Sequence, residues 1–135
     1  MHWATKYIGM PYELGARRED CVDCWGLLWL IYHEQFGIEL PEFPGIAAAS
    51  AIAINSTLRD SVQSDWIQIP KPFEGCAVGM GMRKALHHVG VYVNADGGRI
   101  VHGWDGRNVV ADTLKSLSSK GFRTVAFFRH LQWPS

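Results

Sequence analysis

Between residues 24 and 36, apolar side chains cover most of a helical circumference: Trp25, Leu27, Leu28, Trp29, Leu30 and Ile31. A helix that is apolar nearly all round is buried nearly all round, so this one is expected at the centre of the molecule. Asp23 stands where an N-cap belongs and Gly37 where a helix stops. Ahead of it, residues 2–8 read as a short helix ended by Gly9, with Pro11 just beyond. Residues 11–22, with Gly15 and the charged run Arg17-Arg18-Glu19-Asp20, read as loop. After it, Leu40-Pro41-Glu42-Phe43-Pro44-Gly45 reads as a rigid linker. Residues 46–54 fit a helix or a packed loop, and 57–62 a helical turn or two. Pro70 and Pro72 close this helical half.

The second half has a strand rhythm. Residues 76–80 make a short strand. His88-Val89-Gly90-Val91-Tyr92-Val93 is rich in β-formers and partly alternating. Asn94-Ala95-Asp96-Gly97-Gly98 is a strong turn signal, and residues 99–104 are the return strand. Residues 108–111 and 123–129 give two more strands, with a short helix at 113–117. Helices followed by antiparallel strands predict an α+β fold, with the apolar helix packed on a C-terminal antiparallel sheet.

Composition narrows the class. At 135 residues, 47% hydrophobic and 19% charged, the chain is expected to be one globular domain over 1–135. Its 13 basic and 13 acidic side chains cancel, which argues against a nucleic-acid partner. The opening Met1-His2-Trp3-Ala4-Thr5-Lys6 lacks a basic leader and apolar run, so no signal peptide is expected. The apolar run from Leu27 to Tyr32 is too short to span a bilayer, and no membrane insertion is expected. Three cysteines make no disulfide framework and suit synthesis in a reducing cytoplasm.

The chemistry centres on Cys24. A helix N-terminus offers unpaired N–H groups and a partial positive charge, and both favour the thiolate over the weaker nucleophilic thiol. A cysteine hydrolase also needs a histidine to take the thiol proton and a third polar group to orient that histidine. Here Cys24 is the candidate nucleophile, His88 the base and His102 the orienting residue. With Asn94 to Gly97 as the hairpin loop, Val93 pairs with Gly98 and His102 falls opposite Val89. That register leaves the two imidazoles on opposite faces, and one bulge at Gly97-Gly98 would bring them together.

Rivals remain at this level. A cysteine at a helix start is often a small buried hydrophobe, and a strand histidine often only a hydrogen-bonded side chain. His87 competes with His88 for the role of base, since neighbours on a strand face opposite ways. Cys21-Val22-Asp23-Cys24 is a CxxC, but a redox motif would need a preceding strand in a βαβ setting. A zinc site would need two more ligands at ordered spacing; Cys76 and a histidine could supply them, without a second paired motif. Neither a metal nor a cofactor is expected. His33 near the helix end suits the dipole there.

Several strings together resemble the NlpC/P60 family. They are Tyr7-Ile8-Gly9-Met10-Pro11-Tyr12-Glu13-Leu14-Gly15-Ala16, Asp23-Cys24-Trp25-Gly26-Leu27, Tyr32, His88-Val89-Gly90-Val91-Tyr92 and Val101-His102-Gly103. Trp25 and the segment Phe36-Gly37-Ile38-Glu39-Leu40-Pro41 resemble the phage-tail branch. The resemblance implies a permuted papain-like fold and hydrolysis of peptide bonds in bacterial cell-wall stems, commonly γ-D-glutamyl to diaminopimelate. It carries Cys24, His88 and His102 to nucleophile, base and orienting residue. It matches Tyr12 to a tyrosine that helps bind the oxyanion or the substrate, and Asp23 and Trp25, on either side of the nucleophile, are expected as oxyanion- or substrate-binding residues with it. The chain departs from the family pattern at Trp25, where many members have Ser, and at Ala16 and Cys76, in place of Gly and Asp. A phage-tail member would be made in the host cytoplasm and built into a virion at the tail tip. Its partners would be the peptidoglycan stem and other tail-tip proteins. The alternatives are a tail-assembly component that keeps the fold with little or no hydrolysis, and a cellular amidase on another γ-glutamyl or lipid amide.

Overall fold

The computed structural model describes residues 2–13, 17–18, 21–22, 24–40, 66–82, 88–103 and 108–133. The possible elements at 46–54 and 57–62 lie outside the described residues, as do Asp23, His87 and the side chains of Cys21 and Cys24. The chain opens with a 3-10 turn, Trp3–Lys6, followed by two minimal strands, β1 (Arg17–Arg18) and β2 (Cys21–Val22). Next come helix α1 (Cys24–Ile31) and strands β3 (Trp66–Ile69), β4 (Ala77–Gly81), β5 (His88–Val93), β6 (Arg99–His102) and β7 (Val110–Asp112). Helix α2 (Leu114–Ser119) and strand β8 (Thr124–His130) complete it.

The expected central helix is there. Trp25, Leu27, Leu28, Leu30 and Ile31 are all buried, and only Trp29 is half-buried. Burial of each such aliphatic side chain stabilises the fold by about 1.5–3 kcal/mol, so α1 anchors the core. Past Ile31 the helix widens into a π turn over Tyr32–Phe36 and ends at Gly37, left-handed at φ 66°. At that end the Tyr32 hydroxyl donates to the Gly75 carbonyl at 2.7 Å, tying the helix to the sheet.

Strands β3 to β8 form one antiparallel sheet in the order β3-β8-β4-β5-β6-β7. Alternation divides its residues between two faces. Ala77, Val89, Val91, Val93, Val101 and Phe128 face α1 and share its core. Val78, Met80 and Ile100 face the other way and form a second cluster with Leu117 of α2 and with Phe122. Helices packed on an antiparallel sheet make the fold α+β, as the sequence pattern predicts.

Two expectations are corrected. The stretch read as loop at 11–22 contains the β1–β2 pairing, and Val22 also bridges Tyr12 in parallel. The strand half begins before the prolines: β3 pairs with β8 from Trp66↔His130 to Ile69↔Phe127. As an edge strand with only Trp66 buried, β3 carries almost no alternation for a sequence pattern to reveal. Among the described residues no helix is long and apolar enough to cross a membrane.

Candidate active site

His88 is the first residue of β5 and His102 the last of β6, so both lie at the same end of the sheet. The hairpin register decides whether they meet. Val93 pairs with Arg99, Tyr92 with Ile100 and Val91 with Val101. The pairing is one residue further along than the expected Val93–Gly98 register. A longer loop makes the correction: a 3-10 turn over Ala95–Gly97, with Asp96, Gly97 and Gly98 at φ 51°, 81° and 110°. The expected bulge is unnecessary, because the extra loop residue restores the parity that sets His102 on the face of His88.

His88 Nε2 and His102 Nδ1 are 3.0 Å apart, a hydrogen bond between imidazoles whose rings lie at 78°. Both are buried, His102 completely. Phe122 stacks on His88 at 5.6 Å and 11° and meets His102 edge-on at 6.2 Å. Gly90 makes the approach feasible. A Cβ there would fall 2.7 Å from the Val101 carbonyl oxygen and 3.0 Å from the His102 Cβ, so any side chain would push β6 and His102 away.

A residue that the sequence reading missed lies behind this pair. His102 Nε2 donates to Asp112 Oδ2 at 2.7 Å, and the same oxygen accepts from Lys120 Nζ at 2.6 Å. Burial holds the His102 pKa below its ordinary 6.5, although the hydrogen bond and charge of Asp112 work against that fall. Burial would raise the Asp112 carboxyl, but the hydrogen bonds from Lys120 and His102 outweigh it and hold the carboxyl below its usual value. Asp112 closes a strand one residue before Thr113, whose side chain caps α2 by accepting from the Ser116 N–H. An Asp-Thr pair at a helix start reads as capping, which hides its second use. Alternation counted from His102 through its register partner Val110 would have found it, since Asp112 shares that face.

Tyr12 reaches the same end of the sheet. Its segment is pinned to β2: Val22 N–H donates to the Pro11 carbonyl at 3.1 Å, and Glu13 N–H to the Val22 carbonyl at 2.9 Å. The Tyr12 ring lies on Gly103, so closely that a Cβ there would sit 1.9 Å from Tyr12 Cδ2. Gly103 follows His102 directly. Val22, two residues before α1, is therefore held beside the histidine end of the sheet, and Cys24 opens α1 there.

The faces matter as much as the ends. The rings of His88 and His102 lie with Phe122 and Met80, on the face opposite the valines that α1 packs against.

Trp25 is 1% exposed and belongs to the core cluster. Its ring packs in the core with α1. Cys76 is buried, and burial pushes its thiol up to about 11, which makes it inert near neutral pH. Among the described residues no group of three His, Cys, Asp or Glu side chains could hold a metal ion.

The model of the NlpC/P60 family matches residues 9–127. The chain belongs to the NlpC/P60 family. A comparison with curated proteins finds no match. Among solved structures, the chain is similar to the NlpC/p60 domain of the peptidoglycan hydrolase SagA. The TM-score is 0.59 at 18% identity, covering 92% of this chain and 91% of that one. It is also similar to a Staphylococcus aureus protein described as similar to lipoprotein, of the NLP/P60 family. There the TM-score is 0.56 at 20% identity, covering 91% of this chain and 38% of that one. At these identities the structural likeness establishes the NlpC/P60 fold: few helices on an antiparallel sheet.

Proposed function

We propose that this NlpC/P60 chain is a cysteine peptidase that cleaves stem peptides of bacterial peptidoglycan. The observation that carries the reading is the buried His88–His102 pair at the end of the sheet where α1 begins. Cys24 heads a buried helix, where unpaired N–H groups favour a thiolate. His88 takes the thiol proton as sulfur attacks the carbonyl carbon, then returns it to the leaving amine as the bond breaks. The resulting thioester is hydrolysed by a water that gives its proton to His88. The Cys24 backbone N–H and the Tyr12 hydroxyl are the donors for the oxyanion. The name of one protein of similar fold, the peptidoglycan hydrolase SagA, supports the substrate class.

The finer reading is a bond between γ-D-glutamate and diaminopimelate and a place at a phage tail tip. There the enzyme would open the host wall for DNA entry and contact other tail proteins within the virion. Trp25 and the Phe36–Pro41 string support it through their likeness to the phage-tail branch.

The test is digestion of purified sacculi, with released fragments identified by mass spectrometry. The wild type is expected to release fragments newly ended at the cleaved stem bond, and Cys24→Ala to release none. Equal release by both proteins overturns the nucleophile. No release by either favours the tail-assembly component over the peptidase.

A further inference from the structure

We propose that Asp112, clamped by Lys120, is a positioning residue that sets the protonation pattern of both imidazoles, so that His88 presents the lone pair of Nδ1 as its proton acceptor. This rests on the peptidase reading for its catalytic consequence, but not for its geometry. The geometry is a single file of four side chains: Lys120 Nζ to Asp112 Oδ2 at 2.6 Å, Asp112 Oδ2 to His102 Nε2 at 2.7 Å, and His102 Nδ1 to His88 Nε2 at 3.0 Å.

Each link constrains the next. A carboxylate only accepts, so His102 Nε2 carries the hydrogen. A neutral imidazole has one N–H, so His102 Nδ1 is then a lone pair. That lone pair accepts from His88, which places the His88 hydrogen on Nε2. The lone pair of neutral His88 is then on Nδ1, which accepts the proton. A single carboxylate thus orients a base two rings away, over a path on which His102 is fully buried. When His88 becomes imidazolium during the reaction, the carboxylate offsets part of that charge through His102.

Lys120 gives the arrangement its polarity. Its ammonium shares the oxygen that His102 uses, which keeps Asp112 ionised and stops its carboxyl from turning. Among the described residues, the titratable groups facing His102 include His88 from β5, Asp112 from β7 and Lys120 from the turn after α2. The Gly103 backbone also favours the charged form of the His102 ring. A Gly103 carbonyl that captured the Nδ1 hydrogen would reverse the whole file. The proposal and that reversal therefore predict opposite hydrogens on the same rings.

Long-range proton–nitrogen NMR of the full chain, labelled at histidine, reads those hydrogens directly. The expected result at pH 7.5 is His102 and His88 both as neutral Nε2–H forms in Cys24→Ala, where no thiol proton can move onto His88 Nδ1. With Asp112→Ala added, His102 loses that preference and becomes a mixture. In the protein that keeps Cys24, Asp112→Ala lowers sacculus digestion by about tenfold to a hundredfold, a part of the 10²–10⁴ that a general base supplies. Lys120→Met, at a partly exposed position, is expected to fold normally and to move both readouts in the same direction, less far. A neutral Nδ1–H form of His102 or His88 in Cys24→Ala overturns the proposal, as do unchanged tautomers when Asp112→Ala is added. Neutral Nε2–H forms in Cys24→Ala, beside a wild-type protein that digests no sacculi, leave the relay standing and remove the peptidase reading.

Discussion

Gly103→Ala probes the join between the Tyr12 segment and the sheet. Gly103 is outside the left-handed region, so alanine meets no backbone penalty there. The cost is steric alone. The new methyl would lie 1.9 Å from Tyr12 Cδ2, 2.4 Å from Cε2 and 2.9 Å from Cγ, which is the whole near side of the ring. Restoring an ordinary 3.4 Å contact means moving the ring by about 1.5 Å. Overpacking of this kind costs about 1–3 kcal/mol. At this chain length that lowers the melting temperature by roughly 3–15 °C. Activity is expected to suffer more than stability, because a displacement of about 1 Å near the chemistry can cost about 10²-fold. Calorimetry and sacculus digestion should be run on Gly103→Ala, Tyr12→Ala and the double variant. With the ring gone, the added methyl is close to neutral, giving a coupling of about 1–3 kcal/mol between the two sites. Equal losses from Gly103→Ala with and without the Tyr12 ring would refute the contact, and with it the docking of the α1 entry at the histidine end.

Three further outcomes are expected. Since burial depresses the His102 pKa, the unfolded chain takes up that proton first as pH falls through 6.5. Stability is fully present above that pH and is lost below it, so the melting temperature should fall from pH 7 to 5.5 more steeply in the wild type than in His102→Gln. Cys76, with its thiol near 11, should resist iodoacetamide at pH 7.5 until the protein is unfolded; rapid labelling in the native state would contradict its burial. His87→Ala should keep most of the digestion rate and His88→Ala should lose it, and the reverse result would transfer the base to His87.

Elements dictated by local chemistry were legible in the sequence. The apolar circumference after Cys24 predicts the buried α1, Gly37 its stop, and the Val-rich run a strand that begins at His88 and ends at Val93. What depended on distant partners was not legible. Strand β3 exists because β8 pairs with it, and its own four residues carry no alternating signal. The two-residue strands near Arg17 and Cys21 are too short for any period to show. In the site, both histidines stood out by type and spacing, but their meeting hinged on one loop residue between Asn94 and Arg99. Asp112 escaped because a carboxylate beside a helix cap already has an explanation. Only a three-strand register shows that it faces His102.

Peptidase chemistry in this chain turns on whether His88 activates the Cys24 thiol. The direct measurement is the rate of Cys24 alkylation by iodoacetamide across pH, resolved by peptide mass spectrometry, in the wild type and in His88→Ala. An inflection well below the ~8.5 of a free cysteine, moving back toward it when His88 is removed, is the predicted result. An ordinary inflection in both proteins would contradict it.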